Sequence, residues 1–218
     1  MHKVALALLV LGVPSVLAAQ ADKKDPDIKV ASGGRLPSGW MARLDRANAK
    51  LDELKFVTMG NGFHATSGPA AIYYNPAQVA KGEFVVRASM TQTKAPTHPE
   101  AYGVFIAGTN LDKADQAYLY FLVRGDGKAL VKHRAGSETH TIMDWTETSA
   151  VKKADEAGKA TNEIVINVAR DTVHFLVNGT QVSAFSRKTM TPTDGQVGLR
   201  VNHNLDVHIG AFEVKLPK

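Results

Sequence analysis

Apolar and polar residues alternate with a period of two along several short segments of this chain. Segment 83–91 places Phe84, Val86, Ala88 and Met90 on one parity and mainly polar residues on the other. Because successive side chains of a β-strand point to opposite faces, this segment is predicted to be a strand with one buried and one solvated face. The same alternation recurs in segments 162–170, 172–178 and 196–202.

Two further segments modify this pattern. Residues 118–123 (YLYFLV) are apolar on both parities, which predicts a central strand covered on both sides. Segment 205–216 changes its apolar parity at Gly210, which predicts a bulge or bend there.

Two dipeptides predict hairpin turns between these strands. Asp126-Gly127 joins YLYFLVRG to KALVKHRA, and Asn178-Gly179 joins TVHFLV to TQVSAF. Both dipeptides favour a type I′ turn, in which both central residues have positive φ. The recurrence of short strands and turn residues predicts a many-stranded β-sandwich or barrel.

The N-terminal quarter of the chain lacks this alternation. Residues 1–21 combine Lys3, an apolar run over 4–13 and small residues before Ala21, which is the pattern of a cleavable bacterial signal peptide. The apolar run is half the roughly twenty residues that a membrane span needs. Residues 22–39 are polar and rich in turn formers, so a flexible lead-in is predicted, followed by one domain over 40–218. Within it, residues 40–54 are predicted to form a short helix or an irregular strap.

The amino-acid composition excludes some kinds of chemistry and binding partner. The chain has no cysteine, so disulfides, thiol chemistry and a lipid-carrying cysteine are excluded. Its formal net charge is +5, with basic residues scattered along the chain rather than clustered as in a nucleic-acid surface. We therefore expect a periplasmic or extracellular protein without nucleic-acid partners and without stable membrane insertion after signal cleavage. Its oligomeric state is left open.

The order of these segments resembles a known superfamily. AYGVFIAG, QAYLYFLVRGDGKALVKHR, TNEIVINVARDTVHFLVNGTQVSAF and GQVGLRVNHNLDVHIGAFEV follow one another. This succession resembles the laminin-G-like jelly rolls of the concanavalin A-like lectin and glucanase superfamily, over roughly residues 36–215. Within it, the chain looks most like secreted bacterial domains related to 3-keto-disaccharide hydrolases. The resemblance implies an all-β fold, an antiparallel β-sandwich of the jelly-roll type.

Carboxylate pairs for glycoside hydrolysis are not evident. Glucanases of this superfamily carry a Glu-x-Asp-x-x-Glu pattern on one strand, which places a nucleophile and a general acid beside the glycosidic bond. The chain lacks that pattern, and Asp52-Glu53 and Asp155-Glu156 lie in polar stretches. A Gly-x-Ser-x-Gly elbow, a His-Glu-x-x-His motif and a phosphate loop are also missing. No catalytic residue is assigned.

Histidines are the first group of candidate ligand-binding residues. His174 and His208 are predicted to project outward from their strands, where together with Arg200, Asn202 and Asp206 they form either one polar patch or an ordinary solvated face. His64 lies in an otherwise apolar, glycine-bounded segment, where it needs a hydrogen-bond partner or a ligand. A metal site needs three or four converging ligands.

Aromatic and planar polar side chains are the second group, because sugars stack on aromatic faces and hydrogen-bond to planar polar groups. Tyr118, Trp145, Arg124 and Arg200 are the candidates, with Trp145 expected at a sheet rim and a core position as the alternative for Tyr118.

The leading hypothesis is a carbohydrate- or glycan-binding module. The alternatives are a hydrolase or lyase on 3-keto-glycosides, with or without a metal, and an interaction domain without a small ligand. No cofactor is predicted, while Ca²⁺ or another divalent metal is left open, since many relatives bind Ca²⁺ through backbone carbonyls.

Overall fold

The computed structural model describes residues 26–190 and 192–216, which form a β-sandwich of two seven-stranded antiparallel sheets. The first sheet has the strand order β1-β4-β13-β6-β7-β8-β9, and the second has the order β12-β11-β10-β5-β14-β3-β2. The predicted all-β sandwich is confirmed. The elements are β1 (Met41–Leu44), a 3-10 helix (Leu51–Glu53), β2 (Leu54–Met59), β3 (Gly62–Ser67), β4 (Ala71–Ala80), β5 (Phe84–Gln92), β6 (Ala101–Thr109), β7 (Ala117–Arg124), β8 (Lys128–Ala135), β9 (Glu138–Glu147), β10 (Ala160–Val168), β11 (Thr172–Val177), β12 (Thr180–Ser186), β13 (Gly195–Val201) and β14 (Leu205–Lys215).

The main core lies between the two sheets and is built by the predicted alternation. In β5 every second residue from Phe84 to Gln92 is buried, and β10 and β11 contribute Ile164, Ile166, Val173 and Phe175. The parity change at Gly210 coincides with a register shift of β14 against β5 between Ile209 and Ala211. These strand predictions are confirmed.

The strand β7 is central and covered on both sides, as predicted. It pairs with β6 and β8, and all of its residues from Tyr118 to Val123 are buried. Leu119, Phe121 and Val123 point into the main core, whereas Tyr118, Tyr120 and Leu122 belong to a separate cluster on the other face of the first sheet. Both faces of β7 are therefore apolar.

Both predicted hairpins form, but only one has the predicted turn. Asn178 and Gly179 have φ values of 50° and 79°, as a type I′ turn requires. In the other hairpin Arg124 pairs with Lys128, so the loop has three residues, and only Gly127 has positive φ. The type I′ prediction for Asp126-Gly127 is wrong. The Asp126 carboxylate accepts hydrogen bonds from Nε and Nη2 of Arg124 at 2.8 and 2.5 Å.

Residues 40–54 form less helix than predicted. Met41–Leu44 is a short edge strand that pairs with β4, and only Leu51–Glu53 is helical. Trp40 precedes this strand, and its ring packs edge-on against Phe56 and Phe63 at centroid distances of 5.1 and 4.7 Å.

The segment before β1 is attached to the sandwich by backbone hydrogen bonds. Gly34 N donates to the carbonyls of Leu51 and Leu54, and Ile28 N donates to Asn204 Oδ1 at 2.7 Å. The predicted signal peptide, residues 1–21, lies outside the described residues. Among the residues that are described, no helix has the length and apolar character needed to cross a bilayer.

Candidate functional site

The outer face of the first sheet carries a second buried apolar cluster instead of a solvated surface. Tyr118 and Tyr120 on β7 pack there with Phe105 on β6, at centroid distances of 5.3 Å (Tyr118 to Phe105) and 5.6 Å (Tyr118 to Tyr120). Trp145, on the edge strand β9, packs against the same cluster and is partly exposed. We call this surface the Arg200 face, after the charged residue at its centre.

Arg200 is a buried cation in this apolar setting. Its Nη1 donates to Asp45 Oδ1 at 3.0 Å and to the Tyr118 hydroxyl at 2.9 Å, and its Nη2 donates to Asp45 Oδ2 at 2.7 Å. The guanidinium also lies 4.9 Å from the ring centroid of Tyr120. The guanidinium is therefore held in one orientation by its two hydrogen bonds to Asp45, its hydrogen bond to the Tyr118 hydroxyl and the face of the Tyr120 ring.

The Arg200 face is concave. Arg134 on β8 comes within 3.9 Å of Asp45, which extends β1 by a backbone hydrogen bond from its N to the carbonyl of Ala70. In the sheet order, β1 and β8 are five strand spacings apart, about 24 Å in a flat sheet. That span exceeds the reach of the two side chains, so the sheet must curve around the space above Arg200.

Burial and charge together fix the ionisation of this group. Burial alone would raise the pKa of Asp45, but the Arg200 guanidinium and its hydrogen bonds, with Arg134 and Arg43 nearby, hold that pKa below its usual range. Burial raises the pKa of Tyr118 to about 12, although Arg200 opposes the shift. Asp45 is therefore an anion and Tyr118 a neutral phenol at neutral pH.

A second pair marks the rim of the face, near the β7–β8 hairpin. The Arg124 guanidinium lies 4.5 Å from the ring centroid of Trp145 and is held from its other side by Asp126. This places a partly exposed indole and a planar cation side by side.

A cavity of about 720 Å³ with both charged and apolar lining residues adjoins the Arg200 face at Asp45. His203 lies at its wall, with Nε2 2.7 Å from Glu100 Oε1 and Nδ1 3.4 Å from Asp27 Oδ1. Arg46 forms an ion pair with Asp27 on the same wall. We call this space the Asp45 cavity; its lining residues are Pro26, Asp27, Asp45, Arg46, Glu53, Pro69, Ala70 and His203.

The predicted binding residues divide between the two sheets. Those of the first sheet lie on or beside the Arg200 face, where Tyr118 contacts Arg200 and Arg124 contacts Trp145. Asn202 follows β13 and donates to Glu100 Oε2 at 3.2 Å, beside His203. The first-sheet residues are Tyr118, Arg124, Trp145, Arg200 and Asn202; those of the second sheet are His64, His174 and His208.

The predicted joint patch of Arg200, Asn202, Asp206, His174 and His208 does not form. The chain crosses from the first sheet to the second between β13 and β14. Arg200 and Asn202 therefore lie on the opposite side of the sandwich from Asp206 and His208, which follow them by four to eight positions. Alternation along a strand reports which face a residue occupies, but not which sheet the strand joins.

A separate polar cluster surrounds Asp206 on the outer face of the second sheet. His64 Nε2 lies 3.1 Å from Asp206 Oδ1, and Thr93 and Thr66 donate to the same carboxylate at 2.5 and 3.0 Å. His208 is directly opposite His64 in the strand register. His174 stands apart on β11, with Nδ1 2.8 Å from Gln181 Oε1. His64 thus has the partner that its apolar surroundings predicted it to need.

The sequence patterns did not reveal Asp45, Arg134, Glu100 or His203 as site residues. Asp45 lies in a segment without periodicity, and its partner Arg200 is 155 residues away. Across residues 26–190 and 192–216, no group of three or more His, Asp or Glu residues is placed to hold a metal ion.

Comparison with known proteins supports the fold. No protein-family model matches the chain, and no curated protein sequence matches it. The carbohydrate binding module CBM66 from Bacillus subtilis superposes with a TM-score of 0.61 at 11% identity, covering 82% of this chain and 96% of that module. A GH16 protein of the Bacteroides ovatus mixed-linkage glucan locus gives 0.57 at 6% identity, covering 84% and 98%. The β-glucanase of Bacillus licheniformis gives 0.56 at 10% identity, covering 86% and 96%. The chain therefore has the jelly-roll β-sandwich fold of these proteins.

Proposed function

We propose that the chain is a carbohydrate-binding module whose glycan site consists of the Arg200 face and the adjoining Asp45 cavity. The observation that carries this proposal is the position of Asp45. Its carboxylate is fixed by Arg200 on one side and lines a cavity of about 720 Å³ on the other. Pockets for small ligands commonly measure about 300–1,000 Å³, so the cavity has the volume for a short oligosaccharide.

The side chains around this cavity suit sugar hydroxyls. The carboxylates of Asp27, Asp45 and Glu53 accept hydrogen bonds, and Arg46 and His203 donate them. Arg46 is about half exposed at 46%, so a ligand can reach it. Charge-assisted hydrogen bonds of this kind are stronger than those between neutral groups.

Apolar contacts are available on the neighbouring rim. The partly exposed Trp145 ring offers a flat surface for the C–H face of a sugar, while Arg124 backs it at 4.5 Å. The buried Tyr118 and Arg200 lie beneath as a rigid floor. A site whose side chains are already held in place loses little conformational entropy on binding.

The comparisons support this proposal at the level of fold. A carbohydrate binding module and two glucan-related proteins share the sandwich architecture. A shared fold does not specify a ligand, so the proposal depends on the cavity and the face.

A glycan array followed by isothermal titration calorimetry tests the proposal. We expect binding of at least one oligosaccharide, with affinity lost in Arg46→Ala and retained in Lys215→Ala, whose side chain pairs with Glu213 on the second sheet. Absence of binding across the array, or equal affinity in both variants, would contradict the assignment.

A second candidate is cleavage of 3-keto-glycosides at the same cavity. His203 lies between the carboxylates of Glu100 and Asp27, at 2.7 and 3.4 Å, and lines the cavity together with Asp45. An imidazole held by a carboxylate is a competent general acid or base. Release of the aglycone from a 3-keto-glycoside, abolished by His203→Gln, would support this activity; binding without turnover would leave the module as a binding protein.

We also propose that the protein is exported to the periplasm or the medium, on the basis of residues 1–21. N-terminal sequencing of the protein recovered from the periplasm should find that these residues have been removed. Recovery of the uncleaved chain in the cytoplasm would contradict export.

A further inference from the structure

A pair of histidines lies at the open edge of the sandwich, away from the glycan site. His133 on β8 is directly opposite His140 on β9 in the antiparallel register. Their rings lie 6.0 Å apart between centroids, at an interplanar angle of 23°. Both side chains therefore project to the same side of the sheet.

His133 lies on the core-facing side of its strand. It lies on the same parity of β8 as the buried Ala129 and Val131 and pairs with the buried Leu119 of β7. At this point the first sheet ends with β9, and β12 is the edge strand of the second sheet. The two edges leave a cavity of about 300 Å³. Its lining residues are His133, His140, Ile142, Phe185, Thr189 and Met190.

The imidazole nitrogens of this pair have little contact with other polar groups in the described part of the chain. His133 makes no side-chain hydrogen bond or ion pair there, and His140 Nε2 has an ion-pair contact with Glu138 at 4.0 Å, the limit for such a contact. Imidazole nitrogen is a common ligand of metal ions.

The separation of the rings suits one metal ion between them. A metal–nitrogen bond of about 2.0–2.1 Å places the ion about 3.2 Å from the centroid of each ring. Two stacked rings 6.0 Å apart can flank a single ion once side-chain rotation turns one nitrogen of each ring toward it. Met190, which lines the same cavity, adds a thioether. Thioether ligands favour Cu(I), and imidazole-rich sites bind Cu(II) more tightly than other divalent ions of the first transition row.

We propose that His133, His140 and Met190 form a copper-binding site at the open edge of the sandwich. The site needs no residue of the Arg200 face or of the Asp45 cavity, so it is independent of the proposed glycan function.

The other cross-strand histidine pair of the chain provides an internal comparison. His64 and His208 are also directly opposite each other, with centroids 6.3 Å apart. There, however, His64 Nε2 is held by Asp206, and the Nδ1 atoms of both rings are buried. Because Asp206 occupies His64 Nε2 and both Nδ1 atoms are closed to solvent, this pair should not bind copper despite its similar ring spacing.

Competition titrations of the full-length purified protein test the proposal, with a colorimetric chelator for Cu(I) under anaerobic conditions and electron paramagnetic resonance for Cu(II). We expect one Cu(I) per chain and nitrogen hyperfine coupling in the Cu(II) spectrum. His140→Gln should weaken binding of both ions by more than about tenfold, because even the loss of a residue that only supports a metal ligand costs that much. His140 is 57% exposed, so this variant should keep its unfolding midpoint.

Two further variants distinguish the proposed copper ligands from residues that should not bind copper. Met190→Leu should weaken Cu(I) binding and leave Cu(II) binding within about twofold, because the thioether prefers the softer ion. His208→Gln should bind copper as the wild type does. Failure to compete with the chelator, a copper affinity unaffected by His140→Gln, or loss of copper in His208→Gln would each overturn the proposal.

Discussion

Arg200 and Asp45 form a two-point ion pair within an apolar sheet face, at N–O distances of 2.7 and 3.0 Å. Arg200 is 6% exposed, and its neighbours on the face are aromatic or aliphatic. Removing two charges from water costs several kcal/mol per ion, which a well-oriented pair only partly recovers. A pair in this position is therefore better explained by what it orients, the Asp45 carboxylate at the cavity, than by stability alone.

Removing the charge of Asp45 should reveal the desolvation cost of burying Arg200. In Asp45→Asn, Arg200 keeps a polar neighbour of the same shape but lacks a counter-ion in a buried site. We expect the free energy of unfolding to fall by about 3 kcal/mol, in the lower part of the range for breaking a buried pair, because Asp45 is 24% exposed. Urea denaturation monitored by circular dichroism measures the change.

The matched control is Glu147→Gln, which removes a pair of similar length, 2.9 Å to Lys153, at the surface. Its unfolding midpoint should equal that of the wild type, since exposed pairs contribute little. An Asp45→Asn protein as stable as the Glu147→Gln protein would show that the buried pair does not matter to the fold.

Trp145 should contribute to ligand affinity more than to folding. It is partly exposed on an edge strand, so Trp145→Ala should keep the fold while losing at least about tenfold in glycan affinity, because the indole ring is the large apolar surface offered to the sugar. Trp145→Phe should retain an intermediate affinity. Calorimetry with the oligosaccharide identified on the array gives the values.

The chain has two tryptophans, which permits a direct optical check. In Trp40→Phe the only remaining indole is Trp145, so ligand addition should shift or quench its emission. An unchanged spectrum at saturating ligand would remove Trp145 from the binding site.

Asp206 should make stability depend on pH in the acid range. The hydrogen bond from His64 holds the pKa of Asp206 well below its usual range; burial opposes this, and Thr93 and Thr66 add to it. A carboxyl with a lower pKa in the folded state contributes stability above the unfolded pKa of about 3.9, and that contribution is lost as pH falls below it.

Asp206→Asn should therefore lower the free energy of unfolding by about 2 kcal/mol at pH 7, the scale of hydrogen bonds to a charged group. The difference from the wild type should shrink as pH decreases from about 4 to 2. Unfolding free energies from urea titrations at several pH values provide the test. A difference that stays constant with pH would mean that the carboxylate is not the titrating group.

The alternation of apolar and polar residues predicts the individual strands of this chain, but it does not predict contacts between residues far apart in the sequence. Phe84 to Met90 alternate because each side chain meets only the layer below it, so the strand could be predicted from its own residues. Asp45 contacts Arg200 only in the folded sandwich, because the two residues are 155 positions apart, and no neighbouring residue in the sequence indicates the contact. The core-side position of His133 becomes evident only when the edge of the sandwich is known.

The Asn178-Gly179 turn combines a predictable local conformation with long-range contacts that the sequence did not predict. Its positive φ values follow from the dipeptide, but the contacts of the Asn178 side chain do not. Its Nδ2 donates to the carbonyl of Ala150 and to Asn162 Oδ1, both at 2.8 Å, and its Oδ1 accepts from Glu163 N at 2.9 Å. This amide connects the turn to two other segments of the chain.

Two substitutions separate the backbone requirement from the side-chain contacts. Gly179→Ala meets no atom within 4 Å of the new methyl group, so its cost should be the left-handed conformation alone, about 1 kcal/mol. Asn178→Gly keeps the turn geometry but removes three hydrogen bonds, and at about 0.5–1.5 kcal/mol each it should cost more, about 2 kcal/mol in all. Urea unfolding of both variants gives the comparison. If Asn178→Gly proved as stable as Gly179→Ala or more so, the amide contacts would be incidental and the turn conformation would be the only reason for an asparagine at this position.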